Sequence, residues 1–217
     1  MHVVALASRK GGAGKTTLAS HLAVQAEAAG AGPVALMDTD PQGGLAGWWN
    51  VRAAATPEWL EPAGDLPTAV AACRTSGYRT LLIDTPPSLS ETIAEVLALA
   101  DLILVPVQPS PNDLRAVGGT VELAATSGKP MVFVINRATM RARITTQAAI
   151  ALSQHGAVAP VVIHARLDFA TSMTDGRTAG ELDPTSKSAG EVAELWAYLQ
   201  DRLNQGESHA SYRSRAA

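Results

Sequence analysis

One short segment, "ASRKGGAGKTTLA" (residues 7–19), limits what this chain can fold into more than any other. It follows an apolar run, "HVVALAS" (2–8), and leads into a stretch of helical periodicity, 16–29. Gly11, Gly12 and Gly14, set between a strand and a helix, let the backbone turn sharply enough to aim several N–H groups at one point. The helix dipole strengthens that field, so the loop suits an anion, and phosphate above all. Lys15 would reach the β- and γ-phosphates of a nucleotide, and the Thr16 hydroxyl would bind Mg²⁺. Thr17 would follow as a backbone or α-phosphate contact. The usual spacing G-x-x-x-x-G-K-[ST] calls for glycine at position 9, where this chain has Arg9, and a second lysine, Lys10, precedes the glycines. One lysine is enough to hold a phosphate, so Lys10 calls for another explanation.

Downstream, the same alternation of strand and helix recurs. Apolar runs at 33–38, 80–84, 101–107, 131–136 and 160–164 read as strands, and 65–75, 90–99, 112–126, 144–155 and 187–204 read as helices. Such alternation predicts βαβ units, hence an α/β fold with a mostly parallel twisted sheet and helices on both faces. Right-handed crossovers then gather the loops after the strands along one edge, where ligands bind. Hydrophobic residues make up 47% of the 217 positions but aromatics only 4%, which suits a sheet core of Ala, Val, Leu and Ile. We expect a single domain over residues 1–204, with no internal repeat, and a flexible polar tail over 205–217. No apolar run approaches the roughly 20 residues that span a bilayer, and the sequence opens directly on a strand. The expected localisation is therefore cytoplasmic.

Carboxylates follow two of the strands. "LMDTDPQGG" (36–44) supplies Asp38 and Asp40, and "LLIDTPPS" (81–88) supplies Asp84. Acids at strand C-termini face the phosphate edge of such a sheet, where Mg²⁺ is the natural counter-charge; the alternative role is to cap the next helix.

The string from Lys10 to Thr16, with Gly11, Gly12, Ala13, Gly14 and Lys15 between, resembles the deviant Walker A motif of the ParA/MinD family of P-loop ATPases. "DTDPQG" is similar to that family's switch I segment, "DTPP" to its Walker B segment, and "VPVQPSPNDL" (105–114) to its proline-rich segment after the fourth strand. Residues 176–196 are similar to ParA C-termini, with Ser186 expected to cap the final helix and Glu191 or Glu194 on its face. What this resemblance implies is a three-layer P-loop NTPase fold binding ATP and Mg²⁺. It implies that Lys10 crosses the interface of an ATP-sandwich homodimer to touch the phosphates held by the other subunit. It also implies that Asp40 orients the attacking water, Asp84 holds Mg²⁺ through water and Asp38 supports the metal shell. Asn136, in "INR" (135–137), becomes the candidate partner of adenine, although a turn-forming asparagine fits the same position. No arginine finger is evident, so hydrolysis should be slow alone and stimulated by a partner.

Within the family, a small ParA-type protein that partitions DNA or positions another cargo fits best, nucleoid-associated and served by a ParB-like or other adaptor. Nonspecific DNA binding needs only cations near phosphates. Although the formal net charge is −3, residues 137–177 carry five arginines against two aspartates. Arg141, Arg143, Arg166, Arg177 and Lys187 are the candidate contacts. An N-terminal helix-turn-helix, and with it sequence-specific repression, is not expected. Two other classes remain. A MinD-like membrane-cycling ATPase would use the stripe Val192, Leu195, Trp196, Leu199 and Leu203 as an amphipathic anchor, whereas a core face is the commoner use of such a stripe, and the tail beyond it is polar and no membrane anchor is evident. A metabolic P-loop enzyme is the other; the single cysteine, Cys73, excludes a shared iron–sulfur cluster with two ligands from each chain. Cys73 itself reads as packing, His21 as packing or surface, and the remaining histidines lack metal-ligand spacing. Trp48 and Trp49 fit either the core or an interface.

Overall fold

Strand β1 (His2–Leu6) explains the layering of the whole molecule, because its side chains divide strictly between two cores. Val4 and Leu6 belong to one buried cluster, Val3 and Ala5 to the other. Successive strand residues point to opposite faces, so a strand apolar at every position must be covered on both sides. The computed structural model describes residues 1–62, 64–88 and 91–215.

The remaining strands are β2 (Val34–Asp38), β3 (Glu58–Trp59), β4 (Thr80–Asp84), β5 (Leu102–Val107), β6 (Met131–Ala138) and β7 (Ala157–His164). They form one seven-stranded sheet in the order β3-β2-β4-β1-β5-β6-β7, with every neighbour parallel. Helices α1 (Lys15–Ala28), α2 (Gly44–Asn50), α7 (Leu167–Ser172), α8 (Ala179–Leu182) and α9 (Lys187–Arg215) cover the Val4 face. Helices α3 (Leu66–Thr75), α4 (Glu91–Leu99), α5 (Pro111–Ser127) and α6 (Arg143–Ser153) cover the other. This is the three-layer arrangement expected from the sequence.

Local chemistry fixes where several helices start. The Asp65 carboxylate accepts from Thr68 N at 2.7 Å to open α3, and the Ser110 hydroxyl accepts from Asp113 N at 3.1 Å to open α5. Each is followed by proline in the first turn, where a missing N–H costs nothing. Ser186 caps α9 as expected, accepting from Ala189 N at 3.1 Å.

Three differences from the sequence reading have physical reasons. Strand β3 is two residues long at the sheet edge, too short for any periodicity, and it pairs only with β2. Helices α2, α7 and α8 have at most seven residues each, also below the length at which a pattern declares itself. The final helix, expected to end at 204, continues to Arg215, since 205–215 contains no proline and only Gly206 to weaken it. The last two residues of the expected tail lie outside the described residues, as does Ser90 at the expected start of α4.

Register sets the site. Asp84 at the end of β4 pairs with Leu6 of β1 on one side and with Asp38 of β2 on the other. The helix after β1 lies on one face and the helix after β4 on the other, so the loops leaving these adjacent strands diverge and open a crevice.

Candidate functional site

The glycine loop leaves β1 and closes into α1 with Gly12 at φ 76° and Gly14 at φ 97°, both left-handed. Gly14 has no alternative: a Cβ there would stand 2.2 Å from Asn136 Nδ2. Asn136, at the end of β6, is buried and donates from Nδ2 to the Ala13 carbonyl at 2.7 Å. It therefore braces the loop from beneath while also lining the cavity above it. Gln108, in the proline-rich segment, adds a second brace from Nε2 to the Gly12 carbonyl at 2.8 Å.

Lys15 is the buried cation of the loop, 6% exposed, with Nζ donating to the Ser8 carbonyl at 3.3 Å. Burial lowers its pKa, opposed by the nearby charges of Asp84 and then Asp40. Next to it the Thr16 hydroxyl donates to Asp84 Oδ2 at 2.5 Å. Burial pushes the Asp84 carboxyl up to about 7, with Asp38 adding to the rise and the Thr16 hydrogen bond and Lys15 opposing it. A buried carboxylate with no full counter-charge, beside a hydroxyl, is the hard-oxygen pair that a divalent cation with phosphate ligands requires. Thr16 and Asp84 thus fit Mg²⁺. Among the described residues no cluster of three or more His, Cys, Asp or Glu side chains could hold a metal alone.

Asp38 is used differently. Its Oδ1 accepts from Asp40 N at 2.9 Å, and its Oδ2 accepts from Leu45 N at 3.0 Å and Ala46 N at 3.3 Å. The carboxylate fastens the loop 39–43 and satisfies the first N–H groups of α2. Burial raises its pKa, and these backbone donors work against that rise. Asp40 lines the cavity, holding Gln42 N at 3.0 Å through Oδ1.

Lys15, Thr16, Asp40 and Asn136 border a cavity of about 680 Å³, ample for a nucleoside triphosphate. Its lining comprises Gly11, Gly12, Gly14 to Leu18 and Asp40, together with Pro87, Asn136, Arg137, Ile163 to Leu167, Phe169, Ala170 and Met173. Lys10 is absent from this wall. Its Nζ lies 3.7 Å from Asp113 Oδ2 at the start of α5, and its side chain is 41% exposed. The two lysines of the motif are therefore separated, one inside the cavity and one outside it.

The candidate DNA contacts divide. Arg141, Arg143, Arg177 and Lys187 are exposed, although Arg177 is paired with Asp175 at 2.6 Å. Arg166 is half-buried, folded against Glu191 of α9, and lines the cavity. Sequence reasoning missed that placement, because only the β7–α9 packing brings residues 25 positions apart together. It also passed over Arg137, whose guanidinium sits 3.4 Å from the Gly12 carbonyl and whose position next to Asn136 was the available signal.

His21 proves to be packing with a purpose. It is buried, with Nδ1 against the Thr17 carbonyl at 2.8 Å and Nε2 accepting from Ala179 N at 3.1 Å. Burial lowers its pKa to about 4, so the neutral ring ties α1 to α8. Trp48 is buried and donates from Nε1 to the Arg177 carbonyl at 3.1 Å, whereas Trp49 is half-buried and packs near Trp59. Cys73 is a buried packing residue. The α9 stripe, from Val192 to Leu203, is buried against the sheet and α1. No helix among the described residues is long and apolar enough to cross a membrane.

A central parallel sheet with a left-handed glycine loop, a buried lysine and a Thr–Asp pair at its carboxyl edge defines a P-loop nucleotide-binding protein. The model of the CobQ/CobB/MinD/ParA nucleotide-binding domain matches residues 4–179, and the chain belongs to this family, the ParA/MinD group of ATPases. It is 32% identical to the chromosome-partitioning ATPase Soj of Thermus thermophilus, covering 93% of this chain and 96% of that one. It is 40% identical over 124 residues to the maintenance of carboxysome distribution protein A of Gloeobacter kilaueensis, a match spanning 56% of each chain. The fold is that of the septum site-determining protein MinD from Pyrococcus horikoshii, solved with Mg-ADP: TM-score 0.75 at 17% identity, covering 94% of this chain and 98% of that one.

Proposed function

We propose that this protein is a Mg²⁺-dependent ATPase of the ParA type that closes into a homodimer around ATP, binds DNA without sequence preference in that state, and positions a cargo. The observation that carries this reading is the separation of the two lysines. Lys15 is buried in the cavity, while Lys10 is held outside it by Asp113, half-exposed and free to reach phosphates presented by a second copy. Triphosphate adds several negative charges at such an interface, and a cation from the partner offsets them only while ATP is bound.

Within each chain, Thr16 and Asp84 would hold Mg²⁺, which supplies charge stabilisation to the transferring phosphoryl group. Asp40 would orient the attacking water from the mouth of the cavity. Turnover should be slow until an adaptor protein, ParB-like or otherwise, acts on the dimer. Arg141, Arg143, Arg177 and Lys187 are the candidate DNA cations, and their use would make the protein cytoplasmic and nucleoid-associated. The relatives named for chromosome partition and for carboxysome distribution support DNA or a protein assembly as cargo. The membrane-cycling alternative loses ground because its candidate anchor stripe is already packed against the sheet.

The deciding experiment is a mobility shift on nonspecific DNA at moderate salt with no nucleotide, ADP, ATP and a slowly hydrolysed ATP analogue. Binding confined to ATP and its analogue, and lost in Lys10→Ala, is the expected result. Absence of binding in every state, with ATP binding verified, would overturn DNA as the track.

A further inference from the structure

Arg52 lies two residues past the end of α2 and is not among the residues lining the cavity, yet its side chain is only 3% exposed. Its guanidinium makes five hydrogen bonds, as many as it has N–H groups. Nε and NH2 donate to the Thr56 carbonyl at 2.9 and 2.7 Å, and NH1 donates to the Gly176 carbonyl at 2.7 Å. NH1 and NH2 also grip Glu181 of α8, at 2.9 Å to Oε2 and 2.6 Å to Oε1. The guanidinium carbon stands 5.1 Å from the centre of the Trp48 ring.

A bidentate pair of this kind contributes little net stability, because desolvation offsets most of its attraction, but its planar fork fixes direction. Direction is what α2 lacks. With seven residues it is too short to persist by itself, so its anchors decide where it lies. Asp38 holds its first turn and, through the other oxygen, Asp40 N. Arg52 holds the opposite end. Glu181 in turn accepts from Thr178 N at 2.8 Å, and the next residue, Ala179, donates from N to His21 Nε2 of α1 at 3.1 Å. His21 bonds to the carbonyl of Thr17, which lines the cavity. Contacts through α2 and α8 thus connect the loop bearing Asp40 to the helix bearing Lys15 and Thr16.

We propose that Arg52, gripped by Glu181, is a positioning residue for ATP hydrolysis: it fixes α2 and, through Asp38, sets the Asp40 carboxylate relative to the glycine-loop helix. The inference rests on the reading of Asp40 as the group that orients the attacking water. Since Arg52 stands outside the cavity, the clamp acts on turnover and leaves ATP binding to Lys15, Thr16 and the loop N–H groups.

The test follows phosphate release, ATP affinity and amide hydrogen exchange of the full chain in Mg²⁺. Arg52→Met keeps an apolar stem on Trp48 and removes the fork; turnover should fall roughly tenfold while ATP affinity stays within about twofold. The amides of residues 40–46 should lose protection and those of α1 keep it. Arg52→Lys should fail to rescue, since an ammonium cannot bond both Glu181 oxygens and two carbonyls at once. Glu181→Gln, a milder change, should show the same pattern at smaller size, and it decides the question where Arg52→Met does not fold. Added to Asp40→Asn, Arg52→Met should slow turnover no further. Unchanged exchange at 40–46, unchanged turnover, or equal loss of affinity and turnover would overturn the proposal. Wild-type turnover in Asp40→Asn would instead overturn the reading of Asp40, and exchange at 40–46 would still decide whether Arg52 positions the loop.

Discussion

At the scale of single residues, two positions decide whether the site exists. Gly14 combines a left-handed φ with the approach of Asn136 Nδ2, so no side chain fits there. Gly14→Ala should lower nucleotide affinity by roughly tenfold or more, read by titration with a fluorescent ATP analogue, because strain of this kind costs about 1–3 kcal/mol. His21 is held neutral with a pKa of about 4, against an unfolded value near 6.5. Between those values the unfolded chain binds the extra proton and the folded one does not, so stability rises with pH there. It is complete above about 6.5 and lost as pH falls toward 4. Urea denaturation should show His21 contributing a loss of about 2 kcal/mol between pH 7 and pH 5. His21→Gln, measured the same way, should lack that component while keeping the acid sensitivity of the carboxylates.

At the scale of elements, the short helix α2 links the loop bearing Asp40 to the segment 176–181. Asp38 holds its first turn, Trp48 buries its middle and bonds to the Arg177 carbonyl, and Arg52 beyond its end forms a two-pronged pair with Glu181. Gly176 presses against Arg52 so closely that a Cβ would fall 2.4 Å from the Arg52 Cα. Trp48→Ala should therefore cost about 3–5 kcal/mol in thermal or chemical denaturation. Asp38→Ala should cost about 1 kcal/mol as a lost cap, and should lower ATP turnover further because the loop bearing Asp40 loses its fastening. Little of this element was legible beforehand. "GLAGWW" is too short and too rich in glycine for a helical pattern, and the alternative roles of its tryptophans differ only in what they meet.

At the scale of the whole molecule, the separated lysines make a prediction that only an assembly can test. Lys10→Ala should leave the ATP affinity of a single chain nearly unchanged, since the Lys10 side chain stands outside the cavity, against the buried Asp113. Analytical ultracentrifugation should then find no ATP-induced dimer. Lys15→Ala should lose nucleotide binding and, with it, the dimer.

What the sequence alone determined about this protein was local or periodic. The glycine loop, the Lys15–Thr16 pair, the acids closing β2 and β4, the caps at Ser110 and Ser186 and the layered sheet all arise from residues whose chemistry acts on near neighbours or repeats along a strand or helix. Tertiary structure decided the rest. It placed Lys10 on Asp113, turned Asp38 into a fastener for α2, gave Asn136 to the glycine loop and folded Arg166 onto Glu191. Apart from Asp38, whose partners lie seven and eight residues on, each of these is a contact between distant segments of the chain. The free energy of a buried charge or donor depends on which group the packing brings to it, and a one-dimensional pattern does not carry that choice.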